Sequence, residues 1–419
     1  MCANLQTLFK MAGNVSHSRR AEIQFRSATL PSIREFWYNH PLFIHTKCFA
    51  NMSESSAESV TSNLMWDVVR YGIVAALAGF LIYYYGFYTP TVYVSREHTG
   101  KTMGTHYNVK VAQFPEKGDW EKIAAEIQER LDALDQMMST YRHDSEVCRF
   151  NASFSTEDWF PVSPETAQVV HTAQEISQLT EGAFDITVAP LVRHWGFGAG
   201  SSSRLAGSFE ELKSAAVLLK EQTGYEKLSV RLDPPTLKKS IPELTIDLSA
   251  IAKGFAADCI AELLDTHKIT NYLIEVGGEV RGKGTKGKDT KGKNQDWIVG
   301  IEKPTAQYSG TQQAVPLKDQ SLATSGSYLQ FREIERHRAS HLIDPRSGLP
   351  AQIGTGENEL VSVAVLAPNC TRADALATAI FVLGEQQGLE FANQHRIAVL
   401  FLLRNGDEIR EISSNVWKK

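Results

Sequence analysis

Apolar and polar positions along the 419-residue chain follow several different periods, and each period predicts an element. An uncharged run extends from Tyr71 to Ser95. Its first part, Tyr71 to Tyr88, is 18 residues long, and at roughly 1.5 Å per residue it nearly covers a hydrocarbon core of about 30 Å. Aromatic residues Tyr83, Tyr84, Tyr85, Phe87 and Tyr88 close it before Thr89-Pro90, as suits a membrane interface. The run begins too far into the chain, and lacks the small-residue ending, for a removable signal peptide, so an anchor is expected. Further on, Thr105 to Val111 alternates as a strand does, and Trp120 to Met138 repeats Ile123, Ile127, Leu131, Leu134 and Met138 on one helical face. Val169 to Leu179, Ile251 to Leu264 and Ala373 to Leu383 also read as helices, the last closed by Gly384. Tyr272 to Val276, Trp297 to Ile301, Leu360 to Leu366 and Ala398 to Leu403 read as strands. Helices and strands do not alternate strictly, which predicts an α+β fold of mixed sheets and packed helices rather than a doubly wound parallel sheet. Gly282 to Lys293 reads as a solvated, lysine-rich hairpin tip.

These patterns divide the chain into an N-terminal extension (1–67), a transmembrane segment (68–90) and one large domain (91–419). Residues 1 to about 50 are rich in Ser and Arg and poor in acids, as in an organellar targeting segment or a start placed upstream of Met52. The flanking charges Arg70, Arg96 and Lys101 do not fix an orientation.

Composition changes this picture little. Hydrophobic residues make up 42% of the chain and charged residues 22%, which excludes a disordered protein. A net charge of −5 gives no whole-chain reason to bind nucleic acid. The five cysteines are scattered, without a C-x-x-C pair, so neither a disulfide framework nor a zinc site is expected.

Candidate chemistry sits in a few segments. Asp374 and Thr378 lie four apart on one face of an otherwise apolar helix. Such an Asp either caps the helix or holds a hard divalent cation together with neutral oxygens. Asp247 and Lys253 flank a helix start, where free N–H groups favour phosphate, although Asp247 alone could be an N-cap. In Thr180 to Asp185, Phe184 offers a face for a planar ring and Asp185 an acceptor. Glu275 to Glu279 contains two glycines, which suit either a tight turn or close approach to a ligand. His341 could take a proton near neutral pH, with Asp344 three residues on to orient it, unless it is an ordinary surface histidine. Ser321 to Gly326 could add hydroxyls.

Taken in order, these segments resemble the FAD:protein FMN transferase (ApbE-like) family. The motifs are Met103-Gly104-Thr105, Met138 to Glu146, Arg149-Phe150-Asn151, Gly182 to Val192, Trp195 to Gly198, Asp247 to Gly254, Ala323 to Gly326, His341 to Gly348 and Asp374 to Thr378. The resemblance covers roughly residues 98 to 405 and implies a single T-fold-related domain. It further implies Mg²⁺-dependent transfer of FMN from FAD to a Thr or Ser hydroxyl of an acceptor protein, with release of AMP. By motif, Met103, Tyr141, Ala183, Phe184, Asp185, Asp247, Lys253 and Ile343 would line the FAD site. Asp374, Thr378 and the carbonyl of Ala250 would hold Mg²⁺, and His341 would accept the hydroxyl proton. Ala377 stands where some members carry a second acid. The acceptors implied are flavoprotein subunits of membrane redox complexes, and the location an inner membrane with the catalytic domain on the periplasmic side. An FAD pyrophosphatase and a non-catalytic, membrane-anchored FAD-binding protein are the alternatives.

Overall fold

The computed structural model describes residues 54–87, 91–201, 207–288, 290–304, 310–327, 330–335, 337–351, 353–354, 359–406 and 408–418. The targeting segment expected within residues 1 to 50, and Tyr88 at the end of the expected span, lie outside the described residues. The chain divides into two compact units, 1–89 and 90–419.

In the first unit, helix α1 (Glu54–Phe87) runs 34 residues, so it starts well before the uncharged run does. Its window Met65–Tyr84 is 20 residues long with a mean hydropathy of 1.6, and none of it is buried. An apolar core helix would bury this face. α1 is long and apolar enough to cross a membrane, as an anchor or as a signal sequence.

The second unit contains, in chain order, β1 (Tyr93–Thr102), β2 (Thr105–Pro115), α2 (Trp120–Met138), α3 (Pro164–Leu179), α4 (Ala252–Thr266), β3 (Tyr272–Val276) and β4 (Glu279–Lys283). These are followed by β5 (Trp297–Glu302), β6 (Thr311–Leu317), β7 (Gln320–Gly326), β8 (Glu359–Ala367), α5 (Cys370–Gln394), β9 (Ala398–Asn405) and β10 (Glu408–Ser413). Eight strands form one sheet in the order β1-β2-β3-β4-β7-β8-β9-β10, with every neighbouring pair antiparallel. The α+β expectation is met. Four strands of this sheet carry no strand expectation from the sequence: β1, β4, β7, whose segment is noted only for its hydroxyls, and β10.

The helices cover one face of this sheet. Ile127, Leu131 and Leu134 of α2, Ile260 and Leu264 of α4, and Ile380 and Phe381 of α5 meet Val109, Ile274 and Val363 from the strands in one buried cluster. The opposite face is covered in part by the β5–β6 hairpin, whose Trp297, Ile301, Val315 and Leu317 pack with Val280, Leu322 and Leu402. A third cluster around Trp195 and Phe209 ties the segment after Asp185 to the His341 loop, with Trp195 Nε1 donating to Gly348 O at 2.9 Å.

Two helix starts decide where the chemistry goes. α5 is capped by Asn369, whose side chain accepts from Arg372 N at 2.9 Å, so Asp374 is not the cap of its own helix. Instead Asp374 Oδ2 accepts the N–H of Gly254, in the first turn of α4, at 3.0 Å. Asp258 on α4 returns the favour, accepting from Cys370 N at 2.9 Å and Thr371 N at 2.8 Å. The two helices cap one another with carboxylates, satisfying first-turn donors that would otherwise be buried without partners. α5 is interrupted at Gly384 (φ 79°), where the sequence pattern places its end.

Gly254 makes this contact possible, because a Cβ there would land on the Cys370 carbonyl and lie 2.8 Å from Asp374 Cβ. Gly254→Ala is expected to lower stability by about 1–3 kcal/mol through overpacking, read as a reduced denaturant midpoint at unchanged slope.

Candidate active site

A cavity of about 1620 Å³ opens in the second unit, and all twelve residues singled out from the sequence line it. Met103 lies in the two-residue turn between β1 and β2, where it and Gly104 both take positive φ (48° and 72°), as a tight hairpin loop demands. Tyr141, 69% exposed, follows α2 and presents a large ring to the cavity. Ala183, Phe184 and Asp185 come from the turn after α3, Asp247 and Ala250 from the loop before α4, and Lys253 from its first turn. His341 and Ile343 enter from the loop after the strand 337–340, and Asp374 and Thr378 from one face of α5. Sequence-distant segments thus converge.

At the floor lies an ionisable cluster. Lys253 Nζ meets Glu279 Oε1 at 2.7 Å, and Glu279 and Asp374 are only 2% and 3% exposed. Burial pushes both carboxyls upward, Glu279 to about 8, with Lys253 opposing and Asp374 adding to the rise at Glu279. Burial alone would lower Lys253, but Glu279 and Asp374 outweigh it and hold the ammonium above its ordinary range. Two buried carboxyl groups therefore compete for one cation. Glu279 Oε2 has no hydrogen-bond partner, an unmet acceptor in a region short of positive charge.

Neutral oxygens line the same cavity. Thr378 Oγ1 lies 3.0 Å from Ser325 Oγ of β7, and the Ala250 residue lines the same cavity. Among the described residues no three His, Cys, Asp or Glu side chains converge as a metal cage. A cation here would be held by one carboxylate with hydroxyl and carbonyl oxygens, the set a hard ion such as Mg²⁺ accepts while keeping some of its waters. The residues fit that ion. Ala377 is fully buried, and the second acid near Asp374 comes from Glu279 on β4 instead.

Two local expectations are corrected. Asp344 does not orient His341, because its carboxylate is taken by Arg346, at 2.9 Å from both the backbone N and Nε. A near neighbour in a turn outcompetes a histidine three residues back. His341 Nδ1 instead meets the carbonyl of Gln330 at 3.1 Å. A carbonyl can only accept, so Nδ1 carries the proton and Nε2 keeps its lone pair. Asp247 is not the cap of α4, whose N-cap is Ile251; it accepts from Ser249 N at 2.9 Å and from Ser249 Oγ.

Asp185 is tied to Thr187, accepting from its N and Oγ1 at 2.7 Å each, and burial raises its carboxyl to about 6 despite these bonds. Burial also lowers His341, with Gln330 opposing and Lys253 adding to the fall.

Sequence reasoning missed Glu279 as a charged partner, although the segment holding it was read for its glycines. An acid directly after Gly277-Gly278, at the start of a strand, was the available signal. The role of Gln330 lies in its backbone, where a sequence carries none.

Fold and site together define an α+β domain with a polar, ionisable cleft lined by His341, Lys253, Asp374 and Thr378. The chain belongs to the ApbE family, whose profile matches residues 103–401. It is 40% identical over 323 residues to a FAD:protein FMN transferase of Vibrio cholerae, covering 76% of this chain and 91% of that protein. A FAD:protein FMN transferase of Escherichia coli K12 is 37% identical over 321 residues, covering 76% and 87% respectively. Among solved structures, the flavin transferase ApbE from Vibrio cholerae matches with a TM-score of 0.66 at 38% identity, over 78% of this chain and 99% of that one.

Proposed function

We infer that the protein is a FAD:protein FMN transferase. Its FAD substrate would lie along Met103, Tyr141, the Ala183-Phe184-Asp185 turn, Asp247, Lys253 and Ile343. The hydroxyl oxygen of an acceptor Thr or Ser attacks the FMN phosphorus, and its proton passes to Nε2 of His341. The pyrophosphate P–O bond breaks, and AMP leaves with the bridging oxygen. Asp374, Thr378 and the Ala250 carbonyl would hold Mg²⁺, which when bound supplies charge neutralisation at the diphosphate oxygens. Lys253, kept protonated by its two carboxylate neighbours, adds a fixed positive charge on the same floor.

The observation that carries this reading is the histidine. Its Nδ1 is bound to Gln330 O at 3.1 Å, so Nε2 is a base in the same cavity as the Lys253, Glu279 and Asp374 cluster. Incubation with FAD, Mg²⁺ and an acceptor protein, followed by intact mass measurement, tests it: a covalent FMN adduct is expected, and free FMN with AMP alone would contradict transfer. His341→Ala is expected to slow adduct formation by about 10²–10⁴-fold. Because burial lowers the His341 pKa from its ordinary value, the rate should hold through neutral pH and fall only as pH drops through the lowered pKa.

We also propose that residues 68–90 anchor the chain in an inner membrane, with the domain from residue 91 on the periplasmic side. Acceptors would then be flavoprotein subunits of membrane redox complexes. The exposed apolar face of α1 supports an anchor.

A further inference from the structure

His341 is tied to a single carbonyl. Gln330 O accepts from its backbone N–H at 3.3 Å and meets its Nδ1 at 3.1 Å. Bonds to one point leave the imidazole able to swing about that point, and such a swing would carry Nε2 away from an incoming hydroxyl. The ring of Phe197 stands against it. Its centroid lies 6.2 Å from that of His341 with 64° between the planes, the edge-on arrangement aromatic pairs prefer. Phe197 is half-buried and lines the same cavity, so it is more than a core residue.

Phe197 is itself held. It sits between Gly196 and Gly198, both at positive φ (81° and 72°), in a turn closed by Phe197 N donating to Val192 O at 3.0 Å. Arg332 fastens this turn to the strand Phe331–Ile334, which pairs with His337–Ser340 immediately before His341. Its Nη2 and Nε donate to Gly196 O at 2.8 and 3.3 Å, and its guanidinium carbon lies 5.7 Å from the Phe197 centroid, within cation–π reach. On the other side of the turn, the Trp195 bond to Gly348 O ties the same segment to the end of the His341 loop.

Resting on the transferase reading, we propose that Arg332 and Phe197 are positioning residues for the base. Arg332 sets the Gly196-Phe197 turn, and Phe197 sets the imidazole so that Nε2 meets the acceptor hydroxyl. Both act through His341, and neither takes a proton. Misplacement of a reacting group by about 1 Å can cost on the order of 10²-fold in rate, so the loss belongs to turnover and not to FAD binding.

The test supplies full-length chain with FAD, Mg²⁺ and a dialysed lysate of source cells that lack their own copy, and fluorescent flavin bands on a denaturing gel give initial rates at varied FAD. Arg332→Met and Phe197→Leu are each expected to lower apparent kcat about 10–100-fold with KM for FAD unchanged, and Phe197→Tyr, which keeps the ring, to recover most of the rate. In a His341→Ala background, followed over longer incubation, the same two substitutions should change the residual rate less than about twofold, because a residue that acts through the base has nothing left to act on. Where that background gives no measurable rate, the kcat and KM split and the Phe197→Tyr recovery decide. If Phe197→Leu lowers the melting temperature, Arg332→Met decides. Full losses in the His341→Ala background would overturn the proposal. So would wild-type rates in both variants, or a raised KM, which assigns Phe197 to the nucleotide. An unchanged rate for His341→Ala, or no bands from the wild-type chain, would instead sink the transferase reading itself.

Discussion

Asp374→Asn is expected to leave the protein as stable as before, or more so, while FMN transfer falls by more than about 100-fold. The amide oxygen of Asn can still accept from Gly254 N, the 3.0 Å bond that joins α5 to α4. What disappears is a charge whose burial raises its own pKa, so the fold loses a desolvation cost rather than a contact. Catalysis has the opposite interest. Loss of a group that merely supports a metal ligand typically costs about 10–100-fold, and Asp374 is the only carboxylate in the assigned cation set, so its removal should exceed that. Thermal melting and intact mass measured on the same preparation check both halves, and a large fall in melting temperature would show that the residue is structural first.

Lys253→Met should behave in the reverse sense and lose both. It leaves Glu279 and Asp374 buried without their shared cation, for which about 3–5 kcal/mol of destabilisation is expected. The pH dependence has a definite sign. Carboxyls whose folded pKa lies above the ordinary value, 4.5 for Glu279 and 3.8 for Asp374, bind more protons folded than unfolded, so stability is fully present below that value and is lost as pH rises through the folded pKa. The variant should therefore melt highest in acid and lose stability toward neutral pH more steeply than the wild type. Denaturant titrations at several pH values check this, and a flat profile would mean that the two acids are solvated after all.

Much of this was legible in the chain, for identifiable reasons. The helix Trp120–Met138 was read to the residue because a one-sided apolar stripe is bounded by Asp119, which caps it, and by a break in period. The helix ending at Leu179 was read short: its first turn, Pro164 onward, follows a Ser163 cap with proline at the first helical position and shows little apolar signal. Site residues emerged because motif order survives even where each motif is ambiguous. Asp374 was ambiguous by spacing alone, since a cap on its own helix and a partner for another element look the same in one dimension. Contacts between segments, such as the Gly254 N–H or the Gln330 carbonyl, have no sequence signature at all.

The reciprocal bonds between α4 and α5 carry one more consequence. Asp258 does not line the cavity, yet it fastens the helix that presents Asp374, while Asp374 fastens the helix that presents Lys253. Each helix is the other's jig. An inactivating lesion need not touch the substrate: a screen for defective flavinylation should recover Asp258 among its hits, and a second-site revertant would be sought on the facing helix rather than in the cleft.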